Sequence, residues 1–90
     1  MIEVEFFGLV RKYAGVASAS VDVQAPHTSL QSVLDQLTEQ FPQLAGNCID
    51  DHRLAPGFVA NVDGDRFLCD PQTAIADGSS LLIMSSDAGG

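Results

Sequence analysis

Residues 28–42 read Thr28-Ser29-Leu30-Gln31-Ser32-Val33-Leu34-Asp35-Gln36-Leu37-Thr38-Glu39-Gln40-Phe41-Pro42. Leu30, Val33, Leu34, Leu37 and Phe41 recur at helical spacing and make one apolar stripe. Thr28-Ser29-Leu30-Gln31 has the form of a capping box, in which the Thr28 hydroxyl accepts from the Gln31 NH and the Gln31 side chain reaches back. Pro42 ends the helix, because the residue before a proline avoids helical torsions. A helix with a single apolar face needs one surface to cover, and the flanking sequence is read for that surface.

On the N-terminal side, Ile2, Val4 and Phe6 alternate with Glu3, Glu5 and Phe7, the period of a half-buried strand. Phe7 departs from the pattern, since it shares a face with two glutamates. Gly8 ends the strand, and residues 9–15 form a connection closed by Gly15. A second alternation, Ala19, Val21 and Val23 against Ser20, Asp22 and Gln24, completes a β-hairpin. Pro26 stops it and leaves His27 in a loop. On the C-terminal side, residues 43–57 read as a surface loop with a helical turn around Cys48 to Arg53. Phe58–Val62 is strand-like, Asp63-Gly64 is a two-residue hairpin signal, and Arg66–Cys69 returns as a short strand. Asp70-Pro71 and Asp77-Gly78 punctuate the next connection, and Leu81–Met84 is the last strand.

The order β-β-α-β-β-β places one amphipathic helix on one sheet, a two-layer α+β domain. With the first and last strands side by side in the middle, this is a β-grasp: a mixed sheet of about five strands with one main helix on one face. Residues 1–84 form the domain and 85–90 a flexible tail. The chain has 90 residues, 46% of them hydrophobic, enough for one small core. An enzyme pocket walled on all sides would strain so short a polypeptide.

Four Lys and Arg against twelve Asp and Glu give a net charge of -8. Four dispersed cations (Arg11, Lys12, Arg53, Arg66) cannot make the basic stripe that nucleic acid requires, and anionic membrane surfaces are disfavoured too. An acidic surface suits a basic protein partner. The start Met1-Ile2-Glu3-Val4-Glu5 lacks the positive region of a signal peptide, and two cysteines are too few for a disulfide scaffold. The expected compartment is the cytoplasm, with Cys48 and Cys69 as packing residues.

No catalytic constellation stands out. Cys48 and His52 supply at most two metal ligands where a structural site wants four. Asp63 and Asp65 flank a turn glycine, and turn chemistry accounts for them. The unusual feature is the ending, Gly89-Gly90, six residues after the last strand. Glycine weakens structure, but a slim extended tail of about 20 Å can thread a narrow channel and deliver the Gly90 carboxylate.

Phe6-Phe7-Gly8-Leu9-Val10-Arg11-Lys12-Tyr13-Ala14-Gly15 resembles the opening motif of the MoaD/ThiS-like sulfur carriers, prokaryotic relatives of ubiquitin. The helix, Val59-Ala60-Asn61-Val62, Asp77-Gly78 and the final Gly-Gly follow in that family's order, so the resemblance spans essentially the whole chain. It is similar to the molybdopterin-synthase small subunit more than to the thiamin-pathway carrier. The resemblance implies no bound cofactor. An E1-like adenylating enzyme would use ATP to activate Gly90, behind Gly89, and a sulfur donor would then leave a thiocarboxylate for a larger acceptor subunit. It also implies partner contacts at Phe7, Leu68 and Met84, which alternation places away from the core, and at Arg11. Ser85-Ser86-Asp87-Ala88, where the family often has prolines and an apolar residue, and Gly8, in place of a frequent alanine, leave the pathway open. Molybdopterin synthesis stands first, with cysteine, thiamin or tRNA thiolation as siblings. The alternatives are a ubiquitin-like modifier joined through Gly90 and a binding module with an inert tail.

Overall fold

The alternation in residues 2–6 is realised strictly: Ile2, Val4 and Phe6 are buried, Glu3 and Glu5 exposed. In the computed structural model, which describes residues 1–86, the elements are β1 (Ile2–Phe6), α1 (Leu9–Ala14), β2 (Ser18–Val21), β3 (His27–Ser29), α2 (Leu30–Gln40), a 3-10 turn (Pro42–Leu44), β4 (Ile49–Asp50), β5 (Arg53–Leu54), β6 (Phe58–Val62), β7 (Arg66–Leu68), β8 (Ala74–Ala76) and β9 (Ser80–Ser85). Five strands form the main sheet in the order β2-β1-β9-β6-β7. β1 and β9 are parallel neighbours in its interior, and its other pairings are antiparallel. With α2 on one face, this is the expected β-grasp.

Helix α2 has 11 residues, a length at which an isolated helix is marginal in water. Packing holds it: Leu30, Val33, Leu34 and Leu37 are fully buried in one cluster with Ile2, Val4, Leu81 and Ile83. Each such side chain contributes about 1.5–3 kcal/mol of burial. Phe41 closes the stripe by meeting Phe6 edge-on, ring centroids 5.6 Å apart, and the chain turns at Pro42.

The helix begins one residue later than the sequence reading placed it. Ser29, not Thr28, is the N-cap, its hydroxyl accepting from the Ser32 NH at 3.1 Å. Thr28 is held extended in β3 opposite Ile75 of β8, and that pairing puts His27 on a strand rather than in a loop. The Gln31 NH donates to the Pro71 carbonyl instead of a cap.

Residues 9–15 are likewise a helix and not an open connection. α1 buries Val10 and stops at Gly15, whose left-handed φ of 80° lets its NH return to the Arg11 carbonyl. The stretch 43–57 buries Leu44, Cys48, Ile49 and Leu54, and its expected helical turn is instead the β4–β5 hairpin. Asp51 and His52 form its tip, both with positive φ.

That tip is fastened to α2 by His52 Nδ1 and Asp35 Oδ1 at 2.9 Å. The hydrogen bond to Asp35, and next its charge, raise the His52 pKa above the ordinary histidine value. The folded state therefore favours the protonated ring. The resulting stability is fully present below the unfolded-state pKa and is lost as pH rises through the elevated folded one. Both side chains are well exposed, so the effect is small. NMR titration is expected to give His52 a higher midpoint in the parent than in Asp35→Asn; equal midpoints would remove the interaction.

Candidate functional site

Helix α2 covers one face of the main sheet, and the register assigns every residue of the other. In β1 the second face carries Glu3 and Glu5, opposite Ser20 and Ser18 of β2. In β9 it carries Leu82 and Met84, opposite Asn61 and Val59 of β6. Phe7, just past β1, donates its NH to the Ile83 carbonyl at 3.1 Å and so lies beside Met84. Three rows cross the face. Glu3 lies in the first, Glu5, Leu82 and Asn61 in the second, and Phe7, Met84 and Val59 in the third.

Phe7 stands half exposed on this face, as the alternation predicts. Met84 is on the same face, but its neighbours leave it only 7% exposed. Leu68 is not there. It pairs with Ala60 and Arg66 pairs with Val62, both buried, so Leu68 packs toward the helix side. The residue that β7 presents outward is Phe67, opposite Asn61 and 64% exposed, a position the sequence reading passed over. The physical reason is the turn. Asp63, Gly64 and Asp65 separate the pair Val62↔Arg66, one residue more than a two-residue hairpin, and a one-residue slip exchanges the faces.

Arg11 lies exposed on α1, outside the main sheet, and makes no ion pair among the described residues. Gly89 and Gly90 lie outside the described residues. The last described residue, Ser86, is tied to the Gly57 carbonyl by its NH at 2.8 Å and its hydroxyl at 3.2 Å.

The remaining candidates diverge. Cys48 is buried, and burial pushes its thiol up to about 11, whereas His52 points outward to Asp35. Among the described residues no three His, Cys, Asp or Glu side chains gather as metal ligands. Asp63 accepts from the Ser80 NH of β9 at 2.8 Å, which ties the turn to the neighbouring strand. Cys69 is exposed and not the packing residue expected. Iodoacetamide is accordingly expected to label Cys69 alone in the native protein and both thiols in denaturant. Native labelling of Cys48 at a comparable rate would contradict its burial.

The open face thus exposes two aromatic rings, Phe7 and Phe67, and the carboxylates of Glu3 and Glu5. The fold is the ubiquitin-like β-grasp. The solved structures agree. SAMP1 from Haloferax volcanii superposes with a TM-score of 0.81 at 23% identity, covering 99% of this chain and 98% of that one. The Haloferax volcanii HVO 2177 protein matches with a TM-score of 0.76 at 28% identity, over 99% of this chain and 85% of its own. A Pyrococcus furiosus protein provisionally assigned as molybdopterin converting factor, subunit 1, gives 0.69 at 15% identity, over 93% and 94%. No family model and no curated protein matches the sequence. No described helix is long and apolar enough to cross a membrane.

Proposed function

We propose that this chain is a ubiquitin-like sulfur carrier, most specifically for molybdopterin (molybdenum cofactor) synthesis. The observation that carries the reading is the placement of β9. This interior strand of a β-grasp sheet, with Met84 and Leu82 on the open face, leads into the segment whose sequence ends Gly89-Gly90. An E1-like adenylating enzyme in the cytoplasm provides ATP, and the Gly90 carboxylate attacks its α-phosphorus with loss of pyrophosphate. A sulfur donor then displaces AMP at the acyl carbon, leaving a thiocarboxylate for a larger acceptor subunit. The chain supplies the tip and the docking surface, and the partners supply the acid–base groups. The Pyrococcus furiosus neighbour, by its name, favours the molybdopterin pathway.

A second reading is favoured by other neighbours, described as small archaeal modifier proteins: Gly90 would end as an isopeptide on a lysine. Both readings share activation and part at the acceptor. Intact mass of the protein co-expressed with an E1-like adenylating enzyme in sulfur-replete cells separates them. The carrier reading expects a shift equal to oxygen replaced by sulfur, localised to the Gly90 peptide. An unmodified mass without ATP-dependent AMP transfer would refute it, and a ladder of lysine conjugates would establish the modifier.

A further inference from the structure

The two edges of the main sheet are finished differently. At the β2 edge, α2 supplies side chains that take the outward carbonyls. Gln40 Nε2 donates to the Ser20 carbonyl at 3.3 Å, and Gln36 Nε2 donates to the carbonyl of Asp22, just past β2, at 2.9 Å. An uncovered edge strand is a template for another chain, and covering its polar groups removes the template.

The β7 edge has no such cover. The ladder shows which of its groups face out. The Asp63 NH bonds the Ser80 carbonyl and the Ser86 NH bonds the Gly57 carbonyl, so odd-numbered residues along β6 address β9 and even-numbered ones address β7. Their partners on β7 are Leu68, opposite Ala60, and Arg66, opposite Val62. Phe67 and Cys69 therefore turn NH and carbonyl outward, and among the described residues nothing bonds to either. Both residues are exposed.

Two antiparallel copies of this edge form hydrogen bonds only where outward residues meet outward residues. That allows Phe67 opposite Phe67, Phe67 opposite Cys69, or Cys69 opposite Cys69. Charge selects among these. Arg66 precedes Leu68 by two residues and Asp70 follows it by two, and neither has an ion pair among the described residues. Asp70 accepts from the Gln72 NH through Oδ1 at 2.9 Å, which leaves Oδ2. Only the register with Phe67 opposite Cys69 sets Arg66 of each copy opposite Asp70 of the other. These are non-hydrogen-bonded positions, where facing side chains come closest and opposite charges are favourable. The same register brings Leu68 against Leu68 on the helix side, and the Phe67 ring against Cys69 on the open side.

We propose that β7 pairs antiparallel with β7 of a second copy of this chain, in the register that sets Phe67 opposite Cys69 and Arg66 opposite Asp70. The two main sheets then run on as one. Hydrogen bonds supply the attraction, and the paired charges supply the register. The contact is small and belongs with weak, transient interfaces. β6 separates this edge from β9, so the pairing goes beyond the carrier reading and needs no chemistry at Gly90.

The test uses the full chain labelled with nitrogen-15. Raising its concentration from about 0.02 to 2 mM is expected to shift the amides of Phe67 and Cys69, whose NH groups gain partners. Those of Arg66 and Leu68, already bonded to β6, should move less. Sedimentation over the same range is expected to follow a monomer–dimer equilibrium. Arg66→Glu and Asp70→Arg are each expected to weaken the dimer about tenfold, because each turns two attractive pairs into repulsive ones. An equimolar mixture of the two variants is expected to restore the shifts, since every facing pair is then opposite in charge. Asp70→Asn keeps a side-chain acceptor for the Gln72 NH and is expected to weaken pairing by a smaller factor. Absence of any concentration dependence, shifts confined to other surfaces such as Phe7 and Glu5, or a mixture that dimerises no better than its components would each overturn the proposal. Dimerisation unaffected by either charge change would place the contact elsewhere and overturn it too.

Discussion

Ile83→Ala is expected to destabilise the protein by about 2–5 kcal/mol. Ile83 is fully buried on β9, between Phe6 of β1 on one side and Ala60 of β6 on the other. Its side chain faces α2 and belongs to the same cluster as Leu34 and Leu37. Truncation removes apolar contact from both layers at the centre of the sheet, where β1 and β6 are each held by their own pairings and cannot close the gap. In a domain this small each kcal/mol moves the melting temperature by roughly 4–8 °C, so a fall of more than about 10 °C is expected by calorimetry. Total stability of a small domain is about 5–15 kcal/mol, and much of the variant would unfold near physiological temperature. Phe67→Ala is the matched control. Its ring is 64% exposed, so the change should stay within about 0.5 kcal/mol. A melting temperature for Ile83→Ala within a few degrees (about 3 °C) of the parent would contradict the packing described here.

The same contrast explains which parts of the fold were legible in the sequence. β1, β2, β6 and α2 each bury one side, so their periods of 2 and 3.6 are written in apolar residues, and the central parallel pair followed from their order. α1 escaped because it spans one and a half turns and has no side-chain N-cap; only Gly15 after Arg11 and Lys12 marked its end. The β4–β5 hairpin escaped because Asp51 and His52 occupy positive φ, where a sequence reader looks for Asn-Gly. The N-cap moved from Thr28 to Ser29 because β8, far along the chain, pairs with Thr28, and no local pattern encodes that partner.

In the candidate site, strand parity gave Phe7 and Met84 their face, but Met84 is buried there rather than exposed, and Leu68 failed by one residue. Counting Asp63-Gly64 as the whole turn places Leu68 opposite Val59. The observed three-residue turn, in which the Asp65 NH donates to the Val62 carbonyl at 3.0 Å, gives the outward position to Phe67. A register error of one is invisible to composition and changes the face of every residue in the strand. That Glu3 and Glu5 share one face was legible in the alternation. What the alternation could not show was that β9 would set Leu82 beside them.

Deleting Gly90 is expected to abolish ATP-dependent activation while leaving the melting temperature unchanged. The described ladder and core are built by residues 2–85, and Gly90 is not among them. Activation depends instead on where a carboxylate meets the α-phosphorus of ATP. Removing one residue of extended chain withdraws that carboxylate by about 3.5 Å, and a misplacement of only 1 Å can cost about a hundredfold in rate. Pyrophosphate exchange by the adenylating enzyme is therefore expected to fall at least about a hundredfold. Gly90→Ala keeps the length but adds a methyl group beside the reacting carbon, so it separates reach from bulk. Partial activity there, with none in the deletion, indicates that position governs. Loss in both indicates a channel that admits only glycine. Unchanged exchange in the deletion would mean that Gly90 is not the activated residue, and the carrier reading would fall with it.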